Sequence, residues 1–380
     1  MYRLALLLLC SGLGVEGWVS GFKPQPIRPA TKMSPPTALS ALNRRNFVSS
    51  SAIIAAGLTL GTPKANAVPT GAELITPGTL VGKTMVITGA STGLGLESAR
   101  DLAKGGATVV LTARSDAKGT KAVAAVQESL QEQGIENPNV SYVTLDLDNL
   151  DNVKGFPARF KQAMGDKKID VLINNAGVMA IPERQLTKDG YERTFQSNHL
   201  GHFALTAKLV PFLSQDARII NVSSLAYNFV KSFDFENVNS EITYGPWKSY
   251  GASKLANIYF SQELQRRIDA AGKSYQTVCL HPGAVNTDLG RNMVGEDKWG
   301  TPPEKPWEKA LMKVVTSLTL TPDQGAATQV YLAASAGPLE RGAFYNNLKP
   351  ERLPSYAQDR DAAKKLWDVS ESMAGVKFDI

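Results

Sequence analysis

The chain has 380 residues, 43% hydrophobic and 20% charged, a globular composition long enough for one large domain or two small ones. Its formal net charge of +6 suggests a polyanion partner, but residues 1–67 carry seven basic residues (Arg3, Lys23, Arg28, Lys32, Arg44, Arg45, Lys64) against one acid, Glu16, and so hold the whole excess. The other 34 basic and 34 acidic residues cancel, and charge gives no case for nucleic-acid binding.

Residues 1–67 read as targeting sequence and not as fold. Arg3 precedes the apolar run 4–9, the pattern of a secretory signal peptide over residues 1–21. Phe22 then opens an acid-free basic stretch with Pro, Ser and Thr, an arrangement that resembles the two-part leader of algae with secondary plastids. Within residues 22–67, Asn43-Arg44-Arg45-Asn46-Phe47-Val48, an apolar stretch and Ala65-Asn66-Ala67 resemble a twin-arginine signal with an A-x-A cleavage site. That stretch is short of the about 20 residues a membrane span takes. The expectation is removal of residues 1–67, no stable span in the mature chain, and a plastid destination, the thylakoid lumen or alternatively the stroma.

Cys10 and Cys279 are the only cysteines, and the first lies in the leader, so no disulfide is expected in the mature chain. His199, His202 and His281 have no Cys or carboxylate cluster at ligand spacing, and no metal site is expected.

From Lys83 onward, apolar strand-like runs at 84–88, 108–112, 140–145, 171–174, 218–222, 276–280 and 343–345 alternate with helical patterns, with no break in composition. This predicts an α/β fold: a single Rossmann-type, doubly wound, mainly parallel seven-stranded sheet flanked by helices, in one domain over residues 80–375.

The first of these runs ends in Thr88-Gly89-Ala90-Ser91-Thr92-Gly93-Leu94-Gly95 and passes into a helical pattern with Leu96, Ala99, Leu102 and Ala103 on one face. Glycines let the backbone turn sharply and approach a pyrophosphate, while the helix N-terminus directs free N–H groups and its positive dipole end at it. Gly89, Ser91, Thr92, Gly93, Leu94 and Gly95 are the expected phosphate-binding residues. An NAD site would place an acid after the second strand; here that position reads Ala113-Arg114-Ser115. A guanidinium suits a ribose 2′-phosphate, so NADP(H) is expected, read by Arg114 with Ser115.

Tyr250-Gly251-Ala252-Ser253-Lys254 places a phenol and an ammonium at i and i+4, on one face of a helix. A free tyrosine titrates near ~10, and a neighbouring cation favours its phenolate, which prepares the proton for transfer.

The glycine spacing and this Tyr/Lys pair resemble the short-chain dehydrogenase/reductase family. The resemblance implies a catalytic set of Asn198, Ser224, Tyr250 and Lys254, with Ser224 on the substrate carbonyl, Asn198 holding a relay water and Ser223 structural. It implies further cofactor contacts from Asp146 and Leu147, from Asn175, Ala176 and Gly177, from Tyr250 and Lys254, and from Pro282, Gly283 and Thr287. Asp146 reads equally well as a helix N-cap. It also implies a homodimer through the helices that carry Asn198 and Tyr250.

The long segment 225–249, Ser253-Lys254-Leu255-Ala256-Asn257, Glu263-Leu264-Gln265-Arg266-Arg267 and Ala362-Ala363-Lys364-Lys365-Leu366-Trp367 resemble the retinol dehydrogenase-like branch. That branch implies an apolar small-molecule carbonyl or alcohol as substrate: retinal-like, carotenoid-derived or lipid. Aromatics in 225–249 (Tyr227, Phe229, Phe233, Phe235, Tyr244, Trp247) and the loop 286–307 read equally as a lid or as anchors to the core. Light-dependent protochlorophyllide reductases are similar, but Gly251 and Ala256 replace a Lys and a Cys of their pattern. A non-catalytic NADPH-sensing scaffold is the third reading; such proteins lose catalytic residues, and here all four are present.

Overall fold

Short apolar strands joined through helices have parallel pairing as their available topology. The computed structural model describes residues 68–285, Thr287, Leu289 and residues 319–380. The leader, and the loop 286–307 apart from Thr287 and Leu289, lie outside the described residues. Strands β1 (Thr84–Ile87), β2 (Thr108–Ala113), β3 (Val140–Thr144), β4 (Ile169–Asn174), β5 (Leu213–Val222), β6 (Gln276–His281) and β7 (Phe344–Asn346) pair in parallel. An eighth strand, β8 (Lys349–Glu351), adds antiparallel at the edge, giving the order β3-β2-β1-β4-β5-β6-β7-β8.

The eighth strand corrects the expected seven. It is a three-residue exposed edge with Pro350 in its middle, entered through Asn347 and Leu348 at positive φ (47° and 66°). A strand containing Pro and a turn containing Leu give no sequence signal for a hairpin. β5 likewise starts five residues earlier than the apolar run at 218–222, because Ser214, Gln215 and Asp216 are polar yet still extended.

Period-two alternation supplies both faces of the sheet with core. Val86, Val110, Leu172 and Ile219 point to one side, and Met85, Ile87, Val109, Leu111, Ile173 and Ile220 to the other. On the second side lie α1 (Gly93–Lys104), α2 (Asp116–Gln131) and α7 (Pro322–Ala334), which contribute Leu102, Val126 and Val330. Two short helices, α3 (Leu150–Lys154) and α4 (Phe156–Met164), pack on the first side with α5, α6 (Pro246–Ala270) and α8 (Arg360–Ala374). α5 runs as an α-turn Arg193–Phe195, a π-helical turn Gln196–Leu200 and an α-helix Gly201–Leu209.

α8 lies across the outer faces of α5 and α6. Buried Trp367 packs edge-on to Phe203 at 5.1 Å, against Phe378 at 4.4 Å, and under the Arg267 guanidinium at 4.3 Å. Among the described residues no helix is long and apolar enough to cross a membrane.

Strand order reverses between β1 and β4, and open α/β sheets bind ligands in the crevice at the carboxyl ends of such strands.

Candidate active site

A cavity of about 580 Å³ opens at that crevice. Its wall includes Gly89, Ser91, Thr92, Gly93 and Leu94 from the β1–α1 turn, Arg114 after β2, Asp146 and Leu147 after β3, Asn175, Ala176 and Gly177 after β4, and Thr287. Twelve of the eighteen expected cofactor residues are thus brought to one place from five separated segments.

The glycines differ in what they make room for. Gly89 sits at φ +63°, and a Cβ there would come within 2.8 Å of Ala176 Cα; Gly93 is at φ +58°. Gly95 is helical and off the cavity wall. It is needed because a Cβ would stand 2.6 Å from Asn175 Nδ2 and 2.8 Å from the Gly89 carbonyl. Ser115, Tyr250, Lys254, Pro282 and Gly283 also fall outside the wall: Ser115 occupies the N-cap position of α2, and Gly283 takes φ +90° against Leu320.

Lys118 and Lys121 line the same cavity as Arg114, so three cations border it beyond β2, while the one acid there, Asp116 at the start of α2, is off the wall. They were missed in the sequence although their i, i+3 spacing at the start of α2 places them on one face. Asp148 was missed as well, but its carboxylate is engaged: it pairs with Arg193 at 3.0 Å and accepts from Ser197. Asp146 Oδ1 accepts from the Asp148 N–H at 3.1 Å, and the N-cap of α3 is Asn149.

The four expected catalytic residues are not on the cavity wall itself, but Asn198 and Lys254 stand directly behind it at Gly177. A Cβ on Gly177 would lie 3.2 Å from Asn198 Oδ1 and 3.7 Å from Lys254 Nζ. Asn198 is wholly buried in the π-turn. Its Oδ1 accepts from the Val178 N–H at 2.7 Å, while Nδ2 donates to the Val178 carbonyl and to Ser253 Oγ, both at 2.9 Å. That ties α5 to α6 one residue from Lys254. Lys254 Nζ donates to the Val222 carbonyl at 3.0 Å and stands 5.6 Å from the Tyr250 ring centroid. Burial depresses its pKa from 10.5 to about 8. Ser223 Oγ donates to the Lys254 carbonyl at 2.8 Å, holding α6 to β5, whereas Ser224 Oγ accepts from the Ala226 N–H at 3.2 Å and keeps its proton to donate.

Two further groups stand near these residues. His281 Nδ1 accepts from the Leu225 N–H at 3.3 Å, and burial pushes the ring down to about 3, so it stays neutral beside Ser224. Cys279 is buried, and its thiol is pushed up to about 12, which makes it inert.

The aromatics of 225–249 divide. Tyr227, Phe233 and Phe235 pack into the core against Phe344, Phe195 and one another. Phe229 and Trp247 instead cluster with Met179, Ala180, Ala226 and Tyr250, Trp247 meeting Tyr250 edge-on at 6.4 Å. The Tyr250 ring therefore has apolar neighbours in addition to its lysine.

A nucleotide-sized crevice at a topological switch point, with Asn198 and Lys254 behind its wall at Gly177 and Tyr250 beside Lys254, defines an oxidoreductase of the dinucleotide-binding α/β class. Residues 83–298 match the family model described as short chain dehydrogenase, and the chain belongs to that family. It is related to the retinol dehydrogenases. Retinol dehydrogenase 14 of Mus musculus is 38% identical over 310 residues, covering 79% of this chain and 88% of that protein. Retinol dehydrogenase 11 of Homo sapiens is 35% identical over 303 residues, again 79% and 88%. Among solved structures, an uncharacterized protein from Mycobacterium paratuberculosis superposes with a TM-score of 0.59 at 32% identity, covering 84% of this chain and all of that one. A short chain dehydrogenase from Shigella flexneri, solved with NADP, shares the fold at a TM-score of 0.52 and 22% identity, covering 72% of this chain and 100% of its own.

Proposed function

We propose that the chain is an NADP(H)-dependent oxidoreductase that transfers hydride to or from an apolar carbonyl or alcohol. The observation that carries this reading is the convergence of Asn198 and Lys254 on Gly177, a residue of the cavity wall, with Tyr250 beside Lys254. The cavity fits the cofactor by its chemistry: a glycine cradle for the pyrophosphate, and Arg114, Lys118 and Lys121 for a 2′-phosphate. When bound, the dinucleotide supplies the hydride.

The chain's own residues do the rest. Ser224 and Tyr250 donate hydrogen bonds to the substrate oxygen, stabilising charge as it develops there. Tyr250 then passes its proton to that oxygen, or takes it back in the alcohol direction. The Lys254 ammonium favours negative charge on the Tyr250 oxygen, and its low pKa of about 8 makes its own proton readily exchangeable. Phe229, Trp247 and Met179 form an apolar cluster with Tyr250, a surrounding that suits a polyene or lipid chain better than a charged substrate.

Leader composition supports a plastid location, the lumen first and the stroma second, for a chain cut after Ala67 and folded over residues 80–375. Pairing of two copies through α5 and α6 would require α8 to leave that face, so we assign any homodimer to another surface.

The test is turnover by the purified chain with NADPH and a panel of apolar aldehydes, with Tyr250→Phe as control. Dark oxidation of NADPH that disappears in the variant supports the reading. Turnover of protochlorophyllide under illumination alone would replace it with a photoreductase, and cofactor binding without turnover would leave a sensor.

A further inference from the structure

His202 is buried, its relative exposure 2%, on the first turn of α5 after the π-turn, and the mechanism above does not use it. Both ring nitrogens are nevertheless engaged. Nδ1 lies 3.0 Å from the Asn198 carbonyl, and Nε2 lies 2.8 Å from Thr88 Oγ1. A carbonyl only accepts, so Nδ1 carries the proton and Nε2 is the acceptor, which makes the Thr88 hydroxyl the donor to it. Thr88 Oγ1 in turn accepts the N–H groups of Asn175 at 2.8 Å and Ala176 at 2.9 Å.

The Ile173 carbonyl, 3.4 Å from Thr88 Oγ1, is the longer of the two acceptors within reach of that hydroxyl, and the ring nitrogen at 2.8 Å takes its proton. A proton added at Nε2 would face an oxygen already holding two N–H groups, and burial keeps the ring neutral, its pKa near 4. Thr88 begins the glycine turn, Asn175 and Ala176 line the cavity, and Asn198 belongs to the catalytic set.

We infer that His202 is a positioning residue that joins the dinucleotide-binding turn to the catalytic helix, fixing the Asn198 carbonyl from one ring nitrogen and Thr88 from the other. The inference rests on the oxidoreductase reading of the site and adds to it a coupling between cofactor seating and the geometry of α5. Second-layer hydrogen bonds of this kind hold reacting groups within the narrow tolerance that catalysis needs.

Two substitutions separate the arms. The amide nitrogen of Asn falls where Nδ1 does, so His202→Asn keeps the bond to Asn198 and drops Thr88. Gln reaches the Nε2 position, so His202→Gln keeps Thr88 and releases the Asn198 carbonyl. The expected result is a split. His202→Asn weakens NADPH binding, read by fluorescence titration, by about tenfold and more than it lowers kcat. His202→Gln lowers kcat by about tenfold and more than it weakens NADPH binding.

Equal losses in both readouts from both variants, or a lower Tm with neither readout changed, would show that the histidine only fills space and would overturn the inference. If the native chain binds NADPH but reduces no carbonyl, the oxidoreductase reading falls. The binding titration alone then decides, unequal losses supporting the coupling and equal ones refuting it. A native chain that binds no NADPH overturns both. Should the histidine variants not fold, Thr88→Val tests the same arm: weaker NADPH binding supports the coupling, and unchanged binding refutes it.

Discussion

Lys254→Met should make the apo protein more stable while destroying its activity. Lys254 is buried, and its pKa falls from 10.5 to about 8, so at neutral pH the fold holds an ammonium that it would bind less tightly than the unfolded chain does. That difference costs about 3 kcal/mol at pH 7. Methionine has similar length and no charge, and the one hydrogen bond lost is not orphaned, because the Val222 carbonyl also accepts from Asn257 Nδ2 at 3.2 Å. Allowing for imperfect filling, the gain should be ~1–3 kcal/mol, or roughly 2–6 °C in Tm by calorimetry at pH 7. Because the folded pKa is the lower one, the unfolded chain binds more protons between about pH 8 and 10.5, and native stability rises with pH in that window. The variant should lose that rise, so the two Tm curves should converge from pH 8 to 10. Over the same comparison kcat should fall by about 10²–10⁴. A Lys254→Met protein less stable than the native one at pH 7, or a Tm difference independent of pH, would refute the argument.

Other outcomes follow from the same geometry. Arg114→Ala and Lys118→Ala should each raise KM for NADPH by roughly 10-fold with little change for NADH, in steady-state assays with both cofactors. Gly95→Ala should lose ~1–3 kcal/mol of stability and weaken NADPH binding, since its methyl would stand 2.6 Å from Asn175 Nδ2; denaturant unfolding and a binding titration check both. Trp367→Ala opens a cavity between α5, α6 and α8 and should cost ~3–5 kcal/mol by urea unfolding, while the folded fraction keeps its NADPH affinity.

The sheet was legible because β1, β2 and β4 are mostly apolar runs, and β1 and β4 pass into turns with glycine or asparagine, a pattern that depends only on local sequence. The edge hairpin was not, since Pro350 and Leu348 are poor signals that only the neighbouring β7 overrides. At the site, Tyr250 and Lys254 could be read from helical spacing, and Arg114 from the end of β2. Lys118 and Lys121 carried a readable spacing as well, but surface lysines on a helix usually face solvent, and only the cavity wall distinguishes them. The thread from Thr88 through His202 to Asn198 joins positions 114 residues apart and has no local signature at all.

The helix that closes the outer face of α5 and α6 has a further meaning for how the protein is made. Trp367 and Phe378 are synthesised more than one hundred residues after Tyr250. A nascent chain that already contains every catalytic side chain still presents Phe203 and Phe260 to water, without the Trp367 and Phe378 rings that cover them in the finished fold. The outer faces of α5 and α6 are covered only when residues 360–378 dock. A product cut short before α8 would carry Asn198, Ser224, Tyr250 and Lys254 on a scaffold whose apolar outer face is open to water and to proteases.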